Sequence, residues 1–121
     1  MESILNAIKK LLGIEPEYEH FDQELIMNIN TALMVLTQLG VGPEEGFSIT
    51  GKEDTWEDFI GDRKDLEMLK TYIYLKVRLM FDPPDTSYLI ESIRKQAEEF
   101  EWRLNVYVEN KEKVDENYGK Y

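Results

Sequence analysis

The sequence predicts an all-α protein, a small helical bundle of about four to five helices with an irregular loop or short β-ribbon between helices 2 and 3. Apolar residues recur at intervals of three and four along most of the chain, which is the period of an amphipathic helix. Glycine and proline interrupt this pattern and divide it into segments of helical length. The 121 residues, 42% of them hydrophobic, suffice for one core, and the absence of cysteine excludes disulfides and thiolate metal sites.

The first two helices are marked by residues that favour helix ends. Ser3 is placed to cap a short first helix, and Gly13 is placed to stop it. Asp22 is the expected N-cap of a second helix, which should run to about Leu39 with Gly40 as the residue after its end.

A loop and a short third helix should follow. Residues 41–54 contain three glycines and a proline, which predicts a loop. Within it, residues 47–49 alternate in the manner of a strand, so a short β-ribbon is the alternative. Residues 55–60 are expected to form one helical turn that presents Trp56 and Phe59.

Two longer helices complete the predicted bundle. Asp62 is the expected cap of a fourth helix that ends at Phe81, because the residue before a proline avoids the α region. A fifth helix, capped within residues 85–87, should reach about Val108 and measure roughly 35 Å.

We expect one domain, comprising residues 1–108, and a C-terminal tail, comprising residues 109–121. The tail is rich in Lys, Glu and Asn and lacks periodicity, so we expect it to be flexible. We find no secretion signal and no apolar run near the ~20 residues of a membrane span, so a soluble protein is expected.

Apolar residues on two sides of the same helix are the main functional clue. Met27 and Met34 lie opposite the core stripe of the second helix, and Trp102 and Val106 lie opposite that of the fifth. The fourth helix is apolar around most of its circumference, with Tyr74 in a narrow polar strip. We therefore predict that these five residues contact another subunit or a partner. The competing interpretation is that the loop and the first helix cover them.

Residue types that would support catalysis or metal binding are sparse. His20 is the single histidine, and the carboxylate clusters and glycines lack the spacing of Ca²⁺ or phosphate loops. Lys76, on the apolar side of the fourth helix, is expected to snorkel or to pair with a carboxylate. We predict no catalytic, cofactor-binding or metal-binding residue and no enzymatic activity. A metal-dependent enzyme using Asp54 and Asp58 is the weaker hypothesis.

The net charge of −11 is divided unequally. Residues 1–60 carry 12 acidic and 3 basic groups, and residues 61–121 carry 13 and 11. A chain this acidic does not hold DNA by neutralising phosphates, although a channel lined by it would let DNA pass without adhering. The same charge suits our alternative function, a monomeric acidic adaptor or inhibitor that binds a basic protein.

Four segments carry a family resemblance. Residues 8–14 (IKKLLGI), 38–42 (QLGVG), 72–84 (YIYLKVRLMFDPP) and 99–105 (EFEWRLN) resemble the head–tail connector proteins of long-tailed phages and prophages of Gram-positive bacteria. Together they span most of residues 4–108. The resemblance rests on their order and spacing, since none is a catalytic motif.

This resemblance implies a helical subunit that forms a homo-oligomeric ring, dodecameric in the virion, beneath the portal protein. The ring would extend the DNA channel, with DNA passing through without specific binding, and would offer a surface to a tail-proximal stopper or adaptor protein. The family has no cofactor, no enzymatic activity and no membrane association. The implied location is the virion head–tail junction, after assembly in the host bacterial cytoplasm.

Overall fold

The structure is a computed structural model that describes residues 2–118, with side chains for residues 2–106. Within this part of the chain it consists of five helices, which confirms the all-α prediction. The helices are α1 Ile4–Leu11, α2 Asp22–Gln38, α3 Trp56–Ile60, α4 Leu66–Phe81 and α5 Ser87–Tyr118. Extended pairing in the described residues is limited to one isolated antiparallel bridge, between Ser3 and Thr55.

Helix α4 is the centre of the bundle. It packs against both α2 and α5, while α1 contacts both α2 and α4. Phe81, which contacts Phe21 just before α2, lies nine residues after Tyr72, which contacts Glu101 of α5, so the two contacts lie on opposite sides of α4. Because α4 is covered from two directions, most of its apolar side chains are used within the subunit. Leu69, Tyr72, Ile73 and Val77 are fully buried, whereas Met80 near the end of α4 is 40% exposed. Helices α2 and α5 therefore form opposite flanks of the bundle.

The two flanking helices run in the same direction, antiparallel to α4. The ring of Phe21, just before α2, packs edge-on against Phe81 at the end of α4, with centroids 5.2 Å apart. Halfway along α4, the Tyr72 hydroxyl bonds to Glu101 of α5. These two contacts fix the positions of α2, α4 and α5 along their shared axis, which we call their relative heights.

The segment between α2 and α3 is the irregular loop, the first of the two predicted alternatives. Its centre is held by Asn30 of α2, whose amide bonds both backbone groups of Ile49. The Ile49 N–H donates to Asn30 Oδ1 at 2.7 Å, and Asn30 Nδ2 donates to the Ile49 carbonyl at 3.0 Å. A side chain thus satisfies the groups that a neighbouring strand would otherwise pair.

Capping by Ser3 is confirmed, because its hydroxyl accepts the N–H of Asn6. Two other predicted caps are displaced. Asp22 is the first residue of α2 and does not cap it, since its carboxylate is bound to the ammonium of Lys9 at 2.8 Å. Helix α4 begins after Asp65, three residues beyond the predicted cap Asp62.

Helix α5 extends to Tyr118, beyond the end near Val108 that the sequence predicts. At 1.5 Å per residue its 32 residues measure roughly 48 Å. Residues 119–121 and the side chains from 107 onward lie outside the described residues, so a flexible tail over 109–121 stays a prediction. No helix in the described part combines the length and apolarity needed to span a bilayer.

Candidate functional site

The side of α2 that faces away from α4 is exposed and carries no charge. Met27 and Met34 are 70% and 59% exposed, and Thr31 and Gln38 lie exposed on the same side. We call these four residues the α2 outer face. No charged residue occurs between Leu25 and Pro43, although 32% of the whole chain is charged. Charge depletion together with exposed methionine is typical of the centre of a protein interface.

The Thr31 hydroxyl, at the centre of the α2 outer face, needs little from solvent. The Thr31 hydroxyl donates to the carbonyl of Met27 at 3.0 Å, one turn back in the same helix. A hydroxyl satisfied in this way does not lose a hydrogen bond when a partner covers it, so burial carries a small polar penalty.

A second exposed face lies on α5, pointing away from α4. Tyr88 is 82% and Trp102 is 66% exposed, Lys95 is exposed between them, and Val106 is partly exposed one turn beyond Trp102. We call these four residues the α5 outer face. Ala97 and Leu104, on the other side of α5, are buried against the core. Exposed tryptophan and tyrosine are over-represented among residues that contribute most to binding.

The five residues predicted as contacts thus fall in three places. Met27 and Met34 share the α2 outer face, and Trp102 and Val106 share the α5 outer face. Tyr74 lies apart from both, half-buried on α4, where its hydroxyl accepts a hydrogen bond from the Arg78 guanidinium at 3.0 Å. Within the described residues, neither the loop nor α1 covers the two methionines or Trp102. Their contact with another subunit stays a prediction.

The attachment of α5 to α4 includes two polar contacts that meet at Glu101 of α5. The buried Tyr72 hydroxyl donates to Glu101 Oε2 at 2.6 Å, and Lys76 Nζ lies 3.5 Å from the same oxygen. Lys76 is therefore paired with a carboxylate, as expected. Burial raises the pKa of the Tyr72 phenol, and the hydrogen bond and negative charge of Glu101 raise it further.

Replacing Tyr72 by phenylalanine should lower the free energy of unfolding by about 1.5 kcal/mol at pH 8, because Glu101 loses a charge-assisted hydrogen bond. This loss should shrink as the pH rises above the ordinary tyrosine value of about 10. In that range the unfolded state releases the Tyr72 proton while the folded state keeps it, so wild-type stability falls with pH through this group.

Urea denaturation of wild type and Tyr72→Phe between pH 8 and pH 11 measures this difference. Tyr18→Phe serves as the matched control, since Tyr18 is half-exposed, and its stability should follow wild type at every pH. Parallel stability curves for wild type and Tyr72→Phe would contradict the role given to the buried phenol.

The carboxylates considered for metal chemistry are engaged in local turns. Asp54 Oδ2 accepts the N–H groups of Thr50 and Gly51, at 2.8 and 3.3 Å. Asp58 forms a capping box with Thr55 at the start of α3. Over the residues with described side chains, no three His, Cys, Asp or Glu residues are grouped as metal ligands would be. The structure offers no positive support for the metal-enzyme hypothesis.

Comparison with known protein families gives a match over most of the chain. A family model described as phage connector protein matches residues 4–111 of the chain. No curated protein and no solved structure matches it. The matched range begins with α1 and continues well into α5, so it includes both outer faces.

Proposed function

Because the chain belongs to the phage connector protein family, we propose that it forms a ring beneath the portal of a tailed phage and joins the head to the tail. Family membership indicates a structural role at the head–tail connection of a virion and favours that role over catalysis. The ring, its dodecameric copy number and its contact with the portal are the proposed part. We further propose that the phage or prophage is of the long-tailed Gram-positive type.

The observation that carries the ring proposal is the presence of two exposed faces on opposite flanks of one subunit. The α2 and α5 outer faces are separated by α4, so one subunit has a surface for each of two neighbours. Contacts between two different surfaces generate rings when the rotation closes. A single exposed face would instead favour a dimer.

The charge of the chain supports the proposed DNA channel. A net charge of −11 disfavours retention of DNA, which suits a channel that DNA must traverse without specific binding.

We propose that one end of the ring meets the portal and the other a tail-proximal stopper or adaptor protein, after assembly in the bacterial cytoplasm. Residues 1–108 would form the ring domain, and residues 109–121 would be a tail free to adapt to a partner.

Native mass spectrometry of the full chain, alone and with the portal protein encoded by the same phage, tests this function. We expect one closed high-order oligomer in at least one of the two conditions. A chain that stays monomeric in both and does not bind the portal would overturn the proposal.

Trp102→Ala should reduce assembly much more than it reduces folding. Its side chain is 66% exposed, so truncation removes little of the subunit core, whereas loss of a buried interface tryptophan costs about 2 kcal/mol or more. Native mass spectrometry reports the assembly and thermal denaturation of dilute protein reports the fold. Thr71→Ala, at an exposed position of α4, is the control and should change neither. Equal losses of assembly and monomer stability for Trp102→Ala would assign Trp102 to the core.

A further inference from the structure

We infer that the α2 outer face of one subunit packs against the α5 outer face of the next subunit, with Trp102 seated over Thr31 between Met27 and Met34. This inference rests on the proposed ring and adds which surfaces form its repeating contact. The partner that covers each face is a second copy of this chain.

The arrangement of the three long helices supports such a contact. Helices α2 and α5 flank α4 and run in the same direction. When copies are related by rotation about an axis parallel to these helices, α5 of one copy lies beside α2 of the next. The two helices then run in the same direction. Each added copy then presents another free α2 or α5 outer face, until the ring closes.

The heights of the residues agree with this pairing. Phe21 is level with Phe81, and Tyr72 is level with Glu101. Glu101 contacts both Tyr72 and Lys76, which precede Phe81 by nine and five residues on the antiparallel α4. Glu101 is therefore level with residues 26–30 of α2, and Trp102 with residues 27–31. Trp102 therefore stands at the height of Thr31, to within about one helical turn of 5.4 Å.

The side chains at that height are complementary. Thr31 has a shorter side chain than the two exposed methionines on either side of it, so an indole can pack over Thr31 between them. Methionine sulfur makes favourable contacts with aromatic rings. The Thr31 hydroxyl is already bonded to Met27, so the indole would not leave it without a hydrogen-bond partner.

One charge on the α5 outer face is complementary to the segments that adjoin the α2 outer face. Residues 11–51, which include α2 and both adjoining segments, contain seven carboxylates and no Lys or Arg. On the α5 outer face, Lys95 is exposed and forms no ion pair with any described residue. This unpaired cation, two helical turns before Trp102, is attracted to the acidic segments that adjoin the α2 outer face, whereas Glu98, exposed one turn before Trp102, carries the opposite charge.

Cysteine crosslinking tests the pairing, since the chain has no native cysteine. Thr31→Cys places a thiol at the centre of the α2 outer face, and Glu98→Cys places one beside Trp102 at an exposed position. A short bismaleimide is added under the condition in which the wild-type chain assembles. The double variant should give a ladder of covalent oligomers that ends at the copy number of the ring. A mixture of the two single variants should give covalent dimers and nothing larger.

The control pair combines Glu98→Cys with Thr71→Cys, which is exposed on α4 and belongs to neither face. It should give no ladder. Dimers of Thr31→Cys alone as abundant as those of the mixture would replace the pairing by a symmetric α2–α2 contact. A wild-type chain that assembles while the double variant gives no ladder would overturn the pairing and leave the proposed function standing. A wild-type chain that assembles in no condition would overturn both.

Discussion

Replacing Lys9 by methionine should lower the free energy of unfolding by about 3 kcal/mol, because it breaks a buried ion pair from one side. The Lys9 side chain is fully buried, and its ammonium donates to the carbonyls of Pro16 and Tyr18, at 2.9 and 2.7 Å, and pairs with Asp22 at 2.8 Å. Methionine has a similar length but no charge, so two carbonyls and a carboxylate lose their partner. The loss should lie at the lower end of the range for buried pairs, since Asp22 keeps some contact with water.

For a chain of this size the change corresponds to a fall in Tm of roughly 10 °C. Urea and thermal denaturation measure it directly. Lys10→Met is the matched control, since Lys10 is the next residue and is exposed, and its effect should stay within about 0.5 kcal/mol. Similar losses for the two variants would show that the buried ammonium is not what holds residues 14–21 against α1.

A second large loss of stability is expected when Gly42, in the loop after α2, is replaced by alanine. This residue has φ +86°, and an added Cβ would overlap Cε1 of Phe59, whose ring is buried. Gly42→Ala therefore combines an unfavourable backbone region with an overlap that α3 must move to relieve. We expect a loss of about 3 kcal/mol in the free energy of unfolding.

Alanine substitutions at two other glycines separate the effect of the backbone conformation from that of the overlap with Phe59. Gly13 has φ +81° but open space around the position of a Cβ, so Gly13→Ala should cost about 1 kcal/mol from the backbone alone. Gly51 has neither constraint, and Gly51→Ala should be within about 0.5 kcal/mol of wild type. Equal losses at Gly42 and Gly13 would mean that the Phe59 ring gives way at little cost. Denaturant titrations of the three variants decide this.

Local sequence signals predicted the helices well, because the physics of a helix end is itself local. Gly13 and Gly40 follow the ends of α1 and α2, and the Asp82-Pro83 pair ends α4, as the pattern indicated. Two of the missed features depend on partners distant in sequence. Nothing near Asp22 shows that Lys9, thirteen residues earlier, takes its carboxylate, and nothing near Ile49 points to the amide of Asn30.

The sequence predicted only part of the two outer faces. Helical period places Met27, Met34 and Trp102 opposite their core stripes, and all three are exposed. The period alone could not separate Tyr74 from them, because its neighbours on α4 depend on how α2 and α5 cover that helix. The height of Trp102 relative to Thr31 is likewise set by tertiary contacts between three helices.

The two tryptophans of the chain occupy contrasting environments, and this gives the protein two separate fluorescent reporters. Trp56, the first residue of α3, is buried near the ammonium of Lys70, whereas Trp102 is open to water. A soluble quencher therefore reaches one indole and is excluded from the other while the subunit stays folded. Emission from Trp56 follows unfolding, and shielding of Trp102 follows the association of copies, so one cuvette measurement distinguishes the two events.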